Sequence, residues 1–353
     1  MSESTTQNYN HLKIHSQYSI CEGAIKIDDL KEFSKTNKIQ SLGLSDTTNL
    51  CGALEFAEKI SKVGTQPIIG TQINFKFSDT VGLLPLFALD EEGYKRIIKL
   101  SSFSFLNNDE LSEPHLDFNE LLEDTHGVAI FSGTIFGLFG QLFDKGKFTE
   151  IKNLYSKLKE KFGDRFYLEI QRHNDQNELS FEKFNLKKSL ELSIPLIATN
   201  EVFYLNKDMH EAHDALICIG SKTYINDKTR KRYSDQHYLK SNLEMAELFS
   251  DLPEALENNY NFPLRCNFRP LFSNPILPNI SSEKGGNADD ILRKDSLHGL
   301  KDKFHKVFGI KNNETENNNI FLEYKDRLYH ELSIIIEMKY ASYFLIVSDY
   351  IKW

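Results

Sequence analysis

The sequence predicts an α/β fold in which a parallel sheet closes into a barrel and a helical segment follows it. Three observations predict this. Short apolar runs alternate with helix-period segments from residue 11 onward, polar residues collect where each run ends, and the alternation stops after about residue 270.

The first strand candidate is "HLKIHS", followed by the helical pattern "IDDLKEFSKTN"; "SLGLSD" precedes "LCGALEFAEKISKVG" in the same way. Next come "PIIGTQINF" and "LLPLFAL", the latter leading into "EEGYKRIIKLSSF". "GVAIFSG" precedes "IFGLFGQLF", "RFYLEIQR" precedes "SFEKFNLKKSLELS", and "IPLIATN" precedes "KDMHEAHDALICIGSK". These make about seven strands. His15, Asp46, Gln72, the pair Glu169 and His173, and Asn200 with Glu201 fall at strand ends, the rim on which barrels of this kind build their sites. Residues 1–272 therefore read as the barrel and the Pro, Gly and Ser-rich 273–287 as a linker. Residues 288–353 carry only helical patterns and end in "SYFLIVSDYIKW", an apolar finish that reads as an incomplete domain.

The chain of 353 residues has 51 acidic and 42 basic side chains, a net charge of -9, so any nucleic-acid contact must be local. Cys21, Cys51, Cys218 and Cys266 show no paired spacing, which argues against a zinc ribbon or a disulfide framework. The polar start lacks an apolar targeting region and no run is long enough to cross a membrane, so a cytoplasmic protein without membrane association is expected. "KNNETENNNI", 311–320, reads as a solvated loop. Gly23 and Gly70 read as turn and close-approach glycines, without phosphate-loop spacing.

His11, Lys13 and His15 occupy alternate positions of the first strand, so their side chains should share a face. Two imidazoles suit a cation; the ammonium between them repels one. His210 and His213 stand three apart on a helical pattern and lack the H-E-x-x-H spacing of a metal pair. In "SKTYINDKTRKRY", Lys222, Lys228, Arg230, Lys231 and Arg232 gather with two tyrosines, suiting a partner protein, a DNA backbone, or merely a solvated loop.

Several stretches together resemble the N-terminal part of the bacterial replicative DNA polymerase III alpha subunit, beginning with its PHP (polymerase and histidinol phosphatase) domain. They include "HLKIHSQYSICEG", "LSDTTNLCGALEFAEK", "QPIIGTQINF", "ATNEVFYLNKDMHEAH" and "YHELSIIIEMKYASYFLIVSDYIKW". The resemblance implies a PHP-type distorted TIM-like barrel of seven β/α units, then the helical beginning of a polymerase palm. It also implies that the family's metal-ligand positions fall here on Lys13, Thr47, Gln72, Leu83 and Phe203, which replace ligands, while His11, His15, Asp46, Glu169, His173 and Glu201 remain as relics. Clustered metals need anionic and imidazole ligands, so the expectation is a barrel that binds no metal, with Lys13 in the metal's space paired to Asp46 or Glu169.

By the same resemblance, the palm's catalytic aspartates and the magnesium they hold belong to the parent polypeptide, a DNA-directed DNA polymerase and nucleotidyltransferase; this chain would bind no cofactor. The implied partners are the proofreading exonuclease (epsilon) subunit, the rest of the polymerase chain and, through it, DNA, the sliding clamp and the replisome. An active metal-dependent phosphoesterase or 3'-5' exonuclease is the alternative.

Overall fold

A computed structural model describes residues 9–108, 112–274, 287–309 and 318–353. The chain divides into two compact units, Met1–Phe272 and Ser273–Trp353. Residues 275–286 of the stretch read as a linker, and 311–317 of the asparagine-rich run, lie outside the described residues.

The first unit contains β1 (Lys13–Ile14), β2 (Ser41–Thr47), β3 (Gln66–Phe77), β4 (Thr80–Ala88), β5 (Leu116–Asp117), β6 (Val128–Phe131), β7 (Phe166–Ile170), β8 (Leu196–Ala198) and β9 (Glu201–Val202). All seven strands expected from the sequence form; the two-residue β5 and β9 are additions. One sheet runs β2-β3-β4-β6-β7-β8, with β5 beside β3, and β9 continues past β8 to pair in parallel with β1. The Gly43 amide donates to the His11 carbonyl (2.7 Å) and ties the chain ahead of β1 to β2, so the sheet curls into a barrel-like wall.

The wall is mixed rather than parallel throughout. β4 runs antiparallel to both β3 and β6. Only Ser78 and Asp79 separate β3 from β4, with Ser78 left-handed at φ 55°, and two residues can close a hairpin but cannot carry the chain back to a parallel start.

Helices cover the outside, and their sequence signals are local. Ile27–Asn37 opens with Asp28 and Asp29 against its positive end. Asp90 caps Glu91–Leu106 by accepting from the Gly93 amide (2.8 Å), and Asp117 and Glu120 form a capping box on Phe118–Glu123. The largest core cluster lies between the sheet and these helices and includes Ile73, Phe75, Leu86, Phe139, Tyr155, Phe166 and Ile170. A Cβ on Gly70 would lie 2.6 Å from the Phe87 ring, and one on Gly23 would lie 2.1 Å from the Ser16 carbonyl oxygen, so both glycines permit close approach.

The second unit, within its described residues, comprises helices Ala288–Phe308, Asn319–Glu337 and Ala341–Lys352. Leu292, Leu332, Ala341 and Leu345 form its small core. Asn287 and Asn318 cap the first two helices, and Gly309 ends the first in the left-handed region.

Candidate functional site

The C-terminal ends of β1, β2 and β7, together with β3 and β9, bring a polar cluster to the barrel mouth. Its centre is Lys13, which is fully buried. Its Nζ lies 3.1 Å from Glu169 Oε1 and 3.3 Å from Glu201 Oε1. The second contact follows from register, because β1 and β9 set Lys13 directly opposite Glu201. Glu201 Oε1 also accepts from Gln72 Nε2 (2.5 Å) and faces His15 Nε2 at 3.0 Å. Burial alone would raise the Glu201 pKa, but the Lys13 charge, His15 and Gln72 together hold its carboxyl well below the usual range.

Glu169 Oε1 accepts from Gln171 Nε2 (2.8 Å) and from the Thr199 hydroxyl. Its Oε2 is buried and has no hydrogen-bond partner among the described residues. Asp46 is not a partner of Lys13. Its carboxylate accepts from the Ser16 amide (2.7 Å), the Ser16 hydroxyl (2.8 Å) and the Ser19 hydroxyl (2.7 Å), which pin the turn after β1, and burial raises its pKa. His15 Nδ1 faces the Ser19 and Thr47 hydroxyls at 3.2 and 3.3 Å, and Thr47 donates to Glu22.

His11 stays outside this cluster, contrary to the strand-alternation argument. Its Nε2 donates to the Lys240 carbonyl (2.8 Å), its ring packs edge-on against Tyr9, and burial pushes its pKa down to about 4, so the ring is neutral. Only Lys13 and Ile14 are in β1, so alternation does not orient a side chain two residues ahead of Lys13.

Phe203, expected at a replaced-ligand position, sets its ring 4.4 Å from that of His15 at a 31° tilt and in contact with His213, Tyr233 and His237. Leu83 is half-buried on β4 opposite Asn74 and offers no ligand atom. His210 and His213 do not converge: their Nε2 atoms face the Tyr233 and Glu22 carbonyls, and burial pushes the His213 pKa down to about 4.

A second cluster, around His173, includes residues the sequence did not single out. His173, Asp175 and His237 place ligand atoms within 4.8 Å of one another. The rings of His173 and His237 stack 4.0 Å apart and only 4° from parallel. An ion between them would lie over ring faces rather than in line with a nitrogen lone pair, so the trio is poorly shaped for a metal. Instead, His237 Nδ1 faces the Glu201 carbonyl and its Nε2 faces Asp175 Oδ2, both at 3.0 Å. Burial, then the nearby His237 and Lys240, hold the His173 pKa well below normal. Burial, then Asp175, push Glu178 up to about 8. The Glu201 amide donates to His173 Nε2 (3.2 Å), so the neutral ring carries its proton on Nδ1, which donates to Glu178 Oε1 (3.2 Å), while Nε2 lies 3.0 Å from Asn200 Oδ1. Burial also pushes Lys240 down to about 8; its ammonium donates to Asn200 Oδ1 (3.1 Å) and the Gln236 carbonyl.

The basic segment is not uniformly free. Arg230 forks onto Asp214 at 2.5 and 2.6 Å, and Lys231 lies over the Tyr233 and Phe136 rings. Lys222, Lys228 and Arg232 are exposed.

Residues 11–173 match the family model of the PHP domain, and residues 290–353 match that of the bacterial DNA polymerase III alpha NTPase domain. Over 97% of its length the chain is 40% identical to the DNA polymerase III subunit alpha of Rickettsia conorii, and over its whole length it is 35% identical to that of Caulobacter vibrioides. Its homologues are DNA polymerase III alpha subunits. It spans 29% and 31% of the length of these two alpha subunits. It is also similar to a solved structure ascribed to metal-dependent phosphoesterases from Bifidobacterium adolescentis, at 11% identity and a TM-score of 0.31, covering 54% of this chain and 86% of that one.

The PHP fold implies a metal cluster, and the residues present here do not fit one. An ammonium lies between the carboxylates of Glu169 and Glu201, and the Phe203 ring packs at a tilt against His15. Close-spaced cations need several anionic or imidazole ligands free to converge, and here Lys13 takes up Glu169 and Glu201 while Ser16 and Ser19 hold Asp46.

Proposed function

We propose that this chain is the N-terminal portion of the catalytic alpha subunit of a bacterial replicative DNA polymerase, and that its PHP barrel works without metal as a scaffold. In this reading the barrel braces the polymerase core and docks the separate proofreading exonuclease (epsilon) subunit. Nucleotidyl transfer, with its magnesium and catalytic aspartates, belongs to the rest of the polypeptide, as do contacts with DNA, the sliding clamp and the replisome. A cytoplasmic location accords with that role; among the described residues no helix is long and apolar enough to cross a membrane.

The observation that carries the reading is the Lys13 ammonium between Glu169 and Glu201. It supplies the positive charge that two buried carboxylates require, in place of an ion. The second reading, a metal-dependent phosphoesterase or exonuclease, rests on the retained His15, Asp46, Glu169 and His173, and on the grouping of His173, Asp175 and His237 in spite of its stacked rings.

The test is elemental analysis of the full-length polypeptide, followed by assays of phosphate and nucleotide release from DNA 3' ends with manganese, zinc or chelator. The expected result is polymerase activity, substoichiometric zinc, manganese and iron, and no chelator-sensitive hydrolysis by the barrel. Stoichiometric metal with chelator-sensitive release would replace the scaffold with the second reading. Docking is tested separately, by co-purification of the alpha and exonuclease subunits.

A further inference from the structure

The helix His210–Ser221 ends at Lys222 in the left-handed region (φ 55°), and the following turn folds back on it. The Thr223 amide donates to the Cys218 carbonyl (3.0 Å) and the Asp227 amide to the Tyr224 carbonyl (2.9 Å). Arg230 locks the turn to the helix through Asp214 while its Nε reaches the Ile225 carbonyl (3.2 Å). Gly220 approaches the turn after β1 so closely that a Cβ there would lie 2.6 Å from that of Cys21, which brings Ile20 to the same corner as Ile219.

This corner leaves four large apolar side chains in water: Ile20 is 83% exposed, Ile219 71%, Tyr224 84% and Ile225 56%. Single exposed apolar residues are ordinary, but a built group of four is a contact surface. Lys222, Lys228 and Arg232 are exposed beside it; Arg232 shares Asp214 with Arg230 (3.6 Å) and Asp227 is exposed in the same turn, so the five cations from Lys222 to Arg232 outnumber these two acids. An apolar centre with a charged rim is the layout of a protein interface, and the sign of the rim sets the sign of the partner.

We propose that this corner docks an acidic segment of a partner protein, one that presents apolar side chains between Asp and Glu residues. A single-stranded nucleic acid fits less well, because bases stack on rings and three of the four exposed side chains are isoleucines. The proposal rests on the reading of the barrel as a docking scaffold; it adds the surface and the chemistry of what binds there.

The experiment places a photoreactive phenylalanine analogue at position 224 of the full-length polypeptide in its own host and maps the cross-linked peptide by mass spectrometry. The expected cross-link falls in an acidic, apolar-bearing segment of another protein. Lys228→Glu with Arg232→Glu should cut its yield at least about ten-fold, and acid-to-lysine changes in the mapped segment should restore it. A cross-link to nucleic acid, to a second copy, to a later part of the same polypeptide, or to nothing overturns the proposal, as does insensitivity to the charge reversal. Those outcomes leave a metal-free barrel standing. Stoichiometric metal overturns the scaffold reading without bearing on the cross-link.

Discussion

The two polar clusters at the barrel mouth solve the same problem by opposite means. Around Lys13 the groups are buried as opposite charges, an ammonium against two carboxylates, with Gln72 and His15 completing the set. Around His173 burial removes charge instead: the imidazole is held neutral and Glu178 keeps its proton up to about pH 8. A buried pair of full charges depends on both partners being present, whereas a buried neutral pair depends on pH. The contrast predicts that mutation will expose the first cluster and titration the second.

The largest effect should come from Lys13→Met, which leaves Glu169 and Glu201 facing each other with no counter-charge. Breaking such a pair costs about 3–5 kcal/mol, and urea unfolding of the full-length polypeptide should show a loss of that order in the transition that reports on the barrel. A change below about 1 kcal/mol would remove the ion pair from the account. Adding Glu201→Gln to Lys13→Met removes one of the stranded charges, so the double variant should regain about 1–3 kcal/mol relative to additivity.

For the neutral cluster the sign follows from Glu178. Below about pH 4.5 its carboxyl is protonated in both folded and unfolded chains. Between there and about pH 8 only the unfolded chain ionises, so this group's contribution falls as pH rises, by at most about 1.4 kcal/mol per unit. Glu178→Gln should flatten that slope, read as urea midpoints from pH 5 to 8; an unchanged slope would mean that the carboxyl is not held neutral. His11 acts at the other end. Its neutral folded ring means that stability is lost as pH falls from about 6.5 to about 4, and His11→Leu should lessen that loss at a cost of about 1 kcal/mol for the hydrogen bond to the Lys240 carbonyl. Smallest of all, Lys228→Ala should change stability by no more than about 0.5 kcal/mol, since its side chain is exposed.

Much of this architecture was legible because it is periodic. Seven apolar runs with helical partners predicted seven strands, and all seven are present. The direction of β4 departs from the parallel expectation, because the βα rhythm invites a parallel assignment while the two residues between β3 and β4 close a hairpin. At the site, Glu169 was one of two partners expected for Lys13. Glu201 escaped as a partner because its contact depends on the β1–β9 register, which no local pattern encodes. Asp175, Glu178 and His237 escaped because they belong to no recognised spacing and meet only through folding. The misplacement of His11 came from extending strand alternation beyond the residues that form the strand.

A cation that is part of the chain differs from a bound ion in one further way. Whatever an ion adds to a fold varies with its free concentration, so scarcity or a chelator can withdraw it. The Nζ of Lys13 is tethered to β1 and has no such dependence. On the metal-free reading proposed above, the mouth of the barrel has a fixed counter-charge at every metal concentration, and its integrity is decoupled from the cell's supply of zinc or manganese.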